Sequence, residues 1–378
     1  MTYTIVYPLP ALRPGGAEQQ LLELVRGLDK RRFHPIVVPL VPGGPLEADF
    51  RAVPGAEVVC LHRRGKWDFS PVWRLAALLR SRRADVVQPY LPPTTTFAML
   101  AALLAGTPAR VLEERSGMRT EIYPYLRLQD ALTRFADYVV TNSEAGRDSL
   151  AQRGIPARKI LVIVNGINRE RLRVDRAVVR EFRDRLAVPD GGQVVGILAS
   201  LTPVKRHDVF LRAAAAVGAG RPGVRYALFG DGPLRSELEA QVERLGLAGR
   251  VVFFGFQHRV AECLAACDLL VSSSEVEGLS NAIMEAMALG VPVVGTDIPG
   301  TRELVAHGTT GYLVPPGDAP ALAAAIEHAF AYPDEAAACA AEAAAMIAAR
   351  FSVERMVAVH EELYETLLRP GRRAAALG

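Results

Sequence analysis

Short runs rich in β-branched residues alternate with longer amphipathic segments along most of this 378-residue chain. The first run, at 3–8, is followed by a loop rich in Pro and Gly and then by apolar residues at helical spacing from Leu21 to Leu28. Parallel neighbouring strands need a crossover connection, and a helix after each strand supplies one. The sequence therefore predicts an α/β fold built on doubly wound parallel sheets.

The alternation starts again after an Arg-rich stretch and a turn at 189–192, which indicates a second domain. A chain of this length is expected to hold two domains of roughly 100–200 residues each. We predict, in chain order, a first α/β domain at 1–168, an interdomain linker at 169–191, a second α/β domain at 192–350 and a C-terminal helix in 351–378. Ligands of such sheets bind beyond the carboxyl ends of the strands, so the loops there are expected to face a cleft.

Composition excludes several classes of protein. Half of the residues are hydrophobic and 22% are charged, which is typical of a globular chain and excludes general disorder. The longest apolar run, near 97–105, has about half of the roughly 20 residues that a membrane span needs. The first residues lack the pattern of a signal peptide, and four cysteines do not form a disulfide framework. We therefore expect a cytoplasmic protein.

The charge is distributed unevenly along the chain. Residues 1–165 carry 22 Lys and Arg against 15 Asp and Glu, whereas residues 166–378 carry 22 against 26. A basic first half could attract an anionic acceptor or the inner face of a membrane. Arginine is also the general surface cation of this chain, since four of the 44 cations are Lys. Both interpretations stay open, and the net charge of +3 is too small to indicate nucleic acid.

The strongest candidate site lies at 272–290, where a strand pattern is followed by an acidic, Gly-containing loop and a helix that begins near Ser280. Gly278 lets backbone amides approach a ligand, and the free N–H groups of the helix N-terminus suit a phosphate. Glu277 lies in the loop, and Glu285 lies about 7 Å along the helix axis. Two carboxylates on either side of an anion site fit a ligand with hydroxyls on both sides of a phosphate. A nucleotide sugar is such a ligand.

This stretch resembles the signature of the retaining glycosyltransferases of family 4, with seven residues between two glutamates and EAMALGVPVV after them. Further segments occur in the order and spacing of that family: PGGAE (14–18), TNSEA (141–145), NGIN (165–168), PVKRHD (203–208), FGDGPLR (229–235), TDIPGTRELV (296–305) and GYLVPPGD (311–318). The resemblance implies the GT-B fold, in which two Rossmann-like domains face a cleft and the C-terminal helix crosses back to the N-terminal domain. It also implies that the N-terminal domain binds the acceptor and the C-terminal domain the nucleotide sugar.

The resemblance assigns donor-binding roles residue by residue. Glu285 would hold the ribose hydroxyls and Glu277 the hydroxyls of the donor sugar. Lys205 matches the lysine that binds the diphosphate, and Ser200 stands where the family commonly has an Arg, so Arg206 is a candidate to compensate. The remaining predicted donor-site residues are Gly15, Gly16, Gly230, Gly255, Gly278, Leu279 and Ser280.

The chain departs from the family in the N-terminal domain, where many members carry a His near the reaction centre. Here the segments read VLEERSG and DVVQPY, and none of the seven His lies in them. Arg115 is therefore a candidate to stabilise the departing phosphate, and Glu114 to orient the acceptor hydroxyl. The alternative is that Glu114 and Arg115 form a structural ion pair. With these two, the predicted catalytic residues are Glu277, Lys205, Arg206, Arg115 and Glu114.

The resulting prediction is a retaining, metal-independent hexosyltransferase that needs no cofactor. We expect a UDP-sugar rather than a GDP-sugar as the donor. The expected acceptor is an oligosaccharide or a lipid-linked sugar in cell-envelope or exopolysaccharide synthesis, with peripheral membrane contact through the basic domain. The alternatives are a nucleotide-sugar epimerase of the same fold and a catalytically decayed binding protein. An oxidoreductase is disfavoured, since neither predicted first strand is followed by GxGxxG.

Overall fold

The computed structural model describes residues 2–13, 15–65, 67–91, 94–115 and 125–369. The chain divides into two compact units. The first comprises Met1–Gly166 together with Val353–Gly378, and the second comprises Ile167–Ser352. Residues 370–378 of the predicted C-terminal segment lie outside the described residues.

In the described part of the first unit, seven parallel strands form one sheet. They are β1 (Tyr3–Leu9), β2 (Phe33–Pro39), β3 (Glu57–Val58), β4 (Val86–Val87), β5 (Ala109–Glu114), β6 (Tyr138–Thr141) and β7 (Ile160–Val162). Their spatial order is β3-β2-β1-β4-β5-β6-β7. The connecting helices are α1 (Gly16–Gly27), α2 (Glu47–Arg51), α3 (Ser70–Ser81), α4 (Thr94–Ala105), α5 (Tyr125–Leu132) and α6 (Glu144–Gln152), with 3₁₀ helices at Thr133–Phe135 and Ala157–Lys159.

The central strand β1 explains why this unit is built as a layered sheet. It pairs with β2 from Tyr3 opposite Phe33 to Leu9 opposite Pro39. Ile5 and Tyr7 belong to one buried cluster and Val6 to another, so both faces of the strand are covered. Continuous burial of this kind is typical of parallel sheets with helices on both faces.

The second unit repeats the arrangement. Within the described residues it contains β8 (Val194–Leu198), β9 (Arg225–Phe229), β10 (Val251–Gly255), β11 (Leu269–Ser272), β12 (Val293–Thr296) and β13 (Tyr312–Val314), in the order β10-β9-β8-β11-β12-β13. The helices are α7 (Arg176–Arg185), α8 (His207–Gly220), α9 (Arg235–Arg244), α10 (Val260–Ala265), α11 (Asn281–Ala288), α12 (Pro299–Arg302), α13 (Ala319–Ala331) and α14 (Pro333–Arg350), with 3₁₀ helices at Arg169–Leu172 and Pro203–Lys205.

The segment predicted as a linker, 169–191, is packed into the second unit instead. Phe182 of α7 is buried and lies edge to face against Phe254 and Phe229, with ring centroids 5.2 and 5.6 Å apart. This helix is hard to recognise in the sequence, because α7 has few apolar residues and many arginines. Aromatic burial fixes α7 to the sheet, so these residues are part of the folded unit.

The last helix, α15 (Val353–Leu368), returns to the first unit, as the fold class predicts. Its Tyr364 hydroxyl lies 2.9 Å from the Tyr7 hydroxyl of β1, and both side chains are fully buried. α15 also lies close to α1, since a methyl group at Gly27 would be 2.5 Å from Val357 Cγ2. Glycine is therefore required at this helix contact. None of the helices in the described residues is both long and apolar enough to cross a membrane.

Candidate active site

The candidate site of the second unit lies at the carboxyl ends of β8 and β11. These two strands are neighbours at the centre of the sheet, and the chain continues from β8 to one side and from β11 to the other. This is the switch point of a doubly wound sheet, where the connections diverge and leave a crevice for a ligand. The loop after β8 carries Lys205, and the loop after β11 carries Glu277.

Hydrogen bonds join the two loops. The Glu275 N–H donates to the Val204 carbonyl at 2.9 Å. The buried Ser273 hydroxyl lies 2.9 Å from the Lys205 carbonyl and 3.0 Å from the Arg206 carbonyl. Arg206 has a φ of 49°, a left-handed conformation that non-Gly residues seldom adopt. Ser273 is therefore placed to hold the turn that presents Lys205. The sequence alone does not single out Ser273, because its partners are backbone carbonyls of a distant loop.

Lys205 and Glu277 contact each other directly. Lys205 Nζ forms a salt bridge with Glu277 Oε1, and both side chains are half-buried. The Ser274 hydroxyl donates to the same carboxylate oxygen at 2.8 Å. The predicted diphosphate cation and the predicted sugar-binding carboxylate are thus brought together at one point of the crevice.

Arg206 is held by two carboxylates beside the crevice. Its guanidinium forms a paired contact with Asp208, with Nε 2.9 Å from Oδ1, and a salt bridge with Glu275. The hydrogen bond to Asp208 is the main cause that raises the pKa of Arg206. Two carboxylates therefore compensate this charge, so these contacts do not support the predicted role of Arg206 at the diphosphate. Ser200 is exposed, and its hydroxyl lies 3.5 Å from that of Thr202.

Glu285 projects from α11 beside the buried residues Met284 and Ala286. Burial raises the pKa of its carboxyl to about 7, and the opposing effect of Arg171 is smaller. Among the described residues, no hydrogen-bond partner accompanies the Glu285 carboxylate. A desolvated carboxylate without such partners is costly unless a ligand supplies donors. Ribose hydroxyls would be donors of that kind.

Glycines bring the loops around the site into close contact. A methyl group at Gly300 would lie 2.2 Å from the Gly278 carbonyl oxygen and 2.4 Å from that of Glu277. At Gly230, φ is 139° and a methyl group would lie 2.0 Å from the Ala199 carbonyl oxygen. The Gly230 N–H donates to the Gly255 carbonyl at 2.9 Å. Gly230 and Gly255 therefore join the ends of β9 and β10 at the predicted donor site. Gly300 packs directly against the backbone of the Glu277 loop.

The N-terminus of α11 adjoins the same loop. Ser280 is the N-cap residue, and its hydroxyl does not bond to the first turn. The Leu279 side chain is buried, so a contact between Leu279 and a ligand would have to come from its backbone. The predicted contacts of the Gly278, Leu279 and Ser280 amides with phosphate and sugar remain predictions.

In the first unit, Gly15 is the extended N-cap of α1, and Gly16 is the first residue of that helix. The Glu18 carboxylate folds back over this turn, with Oε2 2.4 Å from the position that a Gly15 Cβ would occupy. Burial raises the pKa of Glu18 to about 7. A side chain at Gly15 would therefore displace the Glu18 carboxylate from this turn. The predicted role of Gly15 and Gly16 at the donor diphosphate remains a prediction.

Arg115 belongs to a buried network rather than to an open site. Its Nε lies 2.7 Å from Glu113 Oε1, and its NH1 donates to Asn165 Oδ1 at 2.7 Å. Gln88 donates to the other Glu113 oxygen at 2.6 Å and accepts from the Tyr364 hydroxyl at 2.6 Å. These contacts do not support the predicted role of Arg115 at the departing phosphate.

Glu114 is also buried and occupied. Gln129 donates to it at 3.2 Å, and Arg153 NH1 lies 3.7 Å from the same carboxylate. Both residues therefore form structural ion pairs, but not with each other as the sequence suggested. Arg115 pairs with Glu113, and Glu114 pairs with Arg153. These contacts do not support the predicted role of Glu114 in orienting the acceptor hydroxyl.

Two family models match the chain in succession. Residues 14–171 match the model "Glycosyltransferase Family 4", and residues 192–331 match "Glycosyl transferases group 1". Together the two matches cover most of both units. The chain belongs to this family of glycosyltransferases. The Lys205–Glu277 crevice lies in the part of the glycosyltransferase that the second model matches.

Solved structures share the architecture of this glycosyltransferase. The Anabaena protein HepE in complex with UDP-glucose is 27% identical with a TM-score of 0.85, and the alignment covers 96% of this chain and 99% of that one. The same protein in complex with UDP and glucose is 26% identical, also with a TM-score of 0.85, over 95% of this chain and 98% of that one. The GT-B fold is therefore established for this glycosyltransferase.

Curated relatives match parts of this chain. The 2-deoxystreptamine N-acetyl-D-glucosaminyltransferase of Streptomyces fradiae is 39% identical over 153 residues, which are 39% of this chain and 36% of that enzyme. The N-acetyl-alpha-D-glucosaminyl L-malate synthase of Bacillus anthracis is 27% identical over 257 residues, or 67% of each chain. The matched part of the glycosyltransferase thus spans about a third of the first relative and about two thirds of the second.

Gly300→Ala is expected to lower the affinity of the glycosyltransferase for its donor about tenfold. The added methyl group would meet the carbonyl oxygens of Glu277 and Gly278, and overpacking of this kind costs about 1–3 kcal/mol. The Glu277 loop would have to shift away from Lys205. Calorimetric titration with a nucleotide donor checks this, with Gly246→Ala as the control because a methyl group there has open space. Because Gly246 has a positive φ and Gly300 does not, the control adds backbone strain away from the site without the clash.

Donor binding is expected to tighten about tenfold between about pH 6 and pH 8. With a pKa of about 7, Glu285 is mostly protonated at the lower pH and mostly ionised at the higher, and the ionised form accepts both hydroxyl bonds. The folded empty enzyme also binds this proton more tightly than the unfolded chain does. Its free energy of unfolding should therefore fall as pH rises from about 4.5 to 7. Titrations across this range check both trends. Glu285→Gln should remove the trend in donor binding and reduce the fall in stability, since Glu18, with a pKa also raised to about 7, contributes to that fall as well.

Proposed function

We propose that this glycosyltransferase moves a hexosyl group from a UDP-sugar to a hydroxyl acceptor with retention of anomeric configuration. The observation that carries the proposal is the meeting of Lys205 and Glu277 at the switch point of the second sheet. A cation and a carboxylate side by side fit the two halves of a sugar phosphate, since the cation binds the phosphate and the carboxylate the sugar hydroxyls.

In the proposed reaction, the bond between the anomeric carbon and the diphosphate oxygen breaks while the acceptor oxygen bonds to the same carbon. The acceptor proton passes to the leaving phosphate, so no protein nucleophile is needed. Negative charge grows on the leaving diphosphate, and the Lys205 ammonium stabilises that charge in a partly desolvated site. We propose that this cation takes the place of a metal ion, and that Glu277 orients the sugar through its hydroxyls.

UDP is the proposed donor nucleotide because HepE, with matching length and fold, has been solved with UDP-glucose. Glu285 would accept hydrogen bonds from the ribose hydroxyls, and these bonds would offset the cost of burying its charge. We propose an oligosaccharide or a lipid-linked sugar as the acceptor. The support comes from relatives named for polysaccharide synthesis, such as the lipopolysaccharide core glycosyltransferase LpsE of Rhizobium meliloti, 34% identical over 206 residues.

The test is an NMR time course with UDP-glucose, UDP-N-acetylglucosamine and GDP-mannose, each with and without a panel of acceptors and with EDTA present. The expected result is transfer or slow hydrolysis of one UDP-sugar, with an α-anomeric product and no loss of rate in EDTA. A β-anomeric product would contradict retention, and a rate that needs added Mg²⁺ or Mn²⁺ would contradict metal independence. Conversion of the donor alone to its epimer would identify an epimerase of the same fold.

A further inference from the structure

Both tryptophans of this chain are exposed on the first unit. Trp67 is 81% exposed and Trp73 is 66% exposed, and Phe69 between them is 61% exposed. Large aromatic side chains bury 150–250 Å² each when they are covered, so leaving three of them in water forgoes a large stabilisation. Isolated exposed apolar residues are ordinary, whereas three within seven residues indicate a contact surface.

The exposed side chains continue across two neighbouring helices. Phe69 and Trp73 are four residues apart at the start of α3, and Leu100 and Leu104 repeat that spacing on α4. Residues at this spacing share one face of a helix. Phe69 contacts Phe97 of α4, with ring centroids 6.0 Å apart. At the other end of the pair, Arg80 of α3 donates to the Leu104 carbonyl.

We call Trp67, Phe69, Trp73, Leu100 and Leu104 the tryptophan face. The exposed fractions of these five side chains correspond to an apolar area on the order of 600 Å². That is at or above the largest apolar patch of a typical monomer, but below the roughly 800 Å² per partner of a standard protein interface. The tryptophan face is therefore large for a free surface and small for a stable protein complex.

The sequence around the tryptophan face is mainly basic, although Arg82 forms a salt bridge with Glu57 and Asp85 follows this stretch. Residues 62–84 contain seven Lys and Arg and a single acid, Asp68, and residues 94–108 contain no charged residue. Asp68 accepts hydrogen bonds at 2.9 Å from the N–H groups of Arg64 and Ser70, so it serves the local turn. Protein interfaces usually match both signs of charge, whereas a bilayer with anionic lipids offers one.

We propose that the tryptophan face docks this glycosyltransferase onto an anionic phospholipid bilayer. Tryptophan and phenylalanine would enter the headgroup region, where amphipathic rings are favoured, while the surrounding arginines meet lipid phosphates. A bilayer also requires no complementary shape from a surface of this size. The purpose of this docking rests on the proposed function, since it would bring the proposed acceptor-binding unit to a lipid-linked sugar. The binding itself requires no sugar transfer.

The test uses the full-length protein and vesicles of phosphatidylcholine with and without phosphatidylglycerol. Because the two tryptophans are the chain's own reporters, binding is expected to shift their emission to shorter wavelength. The protein should sediment with the anionic vesicles and be released by salt. Trp67→Ser combined with Trp73→Ser should weaken sedimentation at least tenfold, roughly the effect of removing two buried apolar side chains.

Tyr332→Ala is the matched control, because it removes an exposed aromatic residue of the second unit and should leave vesicle binding unchanged. Circular dichroism and UDP binding establish that both variants are folded. Absence of vesicle binding by the wild type would overturn the proposal, as would equal binding by the double variant. Self-association that the double variant abolishes would identify a protein interface instead. A protein that binds anionic vesicles but turns over no donor would contradict the proposed function alone, and the reverse result would contradict the docking alone.

Discussion

Replacing Lys205 with alanine is expected to lower kcat for sugar transfer about a thousandfold, roughly 4 kcal/mol of transition-state stabilisation. The ammonium group is half-buried beside Glu277 at the switch point, where the leaving diphosphate is expected to gain charge. Water cannot replace a fixed cation in a partly desolvated crevice, so the loss should fall on turnover more than on donor affinity. Initial rates at saturating UDP-sugar, with UDP release as the readout, measure it.

Arg244→Ala is the control for this substitution, since it removes an exposed cation of α9 away from the crevice and should leave kcat unchanged. Lys205→Ala also leaves Glu277 with the Ser274 hydroxyl as its hydrogen-bond donor, so a melting curve is needed to separate instability from lost catalysis. Equal kcat values for the wild type and a folded Lys205→Ala protein would contradict the assignment of Lys205 to the diphosphate.

Glu285→Ala is expected to weaken UDP binding about a hundredfold. Each hydrogen bond to a charged acceptor contributes about 1.5–3 kcal/mol, and the carboxylate is placed to accept two from a ribose. The empty protein should not lose stability in the same proportion, because burial already disfavours the ionised carboxyl and raises its pKa to about 7. Calorimetric titration with UDP measures the affinity, and chemical denaturation measures the stability.

Glu285→Gln separates charge from shape in this experiment. The amide keeps the size of the side chain but offers one acceptor oxygen without charge. We expect it to bind UDP more weakly than the wild type and with an affinity that no longer depends on pH near 7. If the Gln variant binds UDP as tightly as the wild type at pH 8, the ribose assignment of Glu285 is wrong.

The sequence predicts the fold class well, because hydrophobic period and turn residues directly encode strands, helices and their alternation. It does not predict which loops touch. Lys205 and Glu277 are 72 residues apart, and their contact depends on β8 and β11 being neighbours at the centre of the sheet. Strand order depends on the packing of the whole unit, so the sequence alone does not predict this salt bridge.

Residues with distant partners were the hardest to assign. The local sequence favours a catalytic role for Arg115, yet Arg115 contacts Asn165, 50 residues away, and its neighbour Glu113 is joined through Gln88 to Tyr364 of the last helix. The stretch 169–191 likewise reads as a linker in the sequence, because the partners of Phe182 lie on the distant strands β9 and β10. Local pattern gives no information on such contacts.

With the proposed roles of Lys205 and Glu277, the salt bridge between them would also make the crevice selective. A ligand that brings only negative charge, such as inorganic phosphate, would draw Lys205 away and leave Glu277 desolvated without its cation. A ligand that brings only hydroxyls would engage Glu277 and leave Lys205 without an anionic partner. A sugar joined to a phosphate replaces both halves of the bridge at once. In these proposed roles, the two residues would neutralise each other in the empty site and favour the intact donor over its fragments.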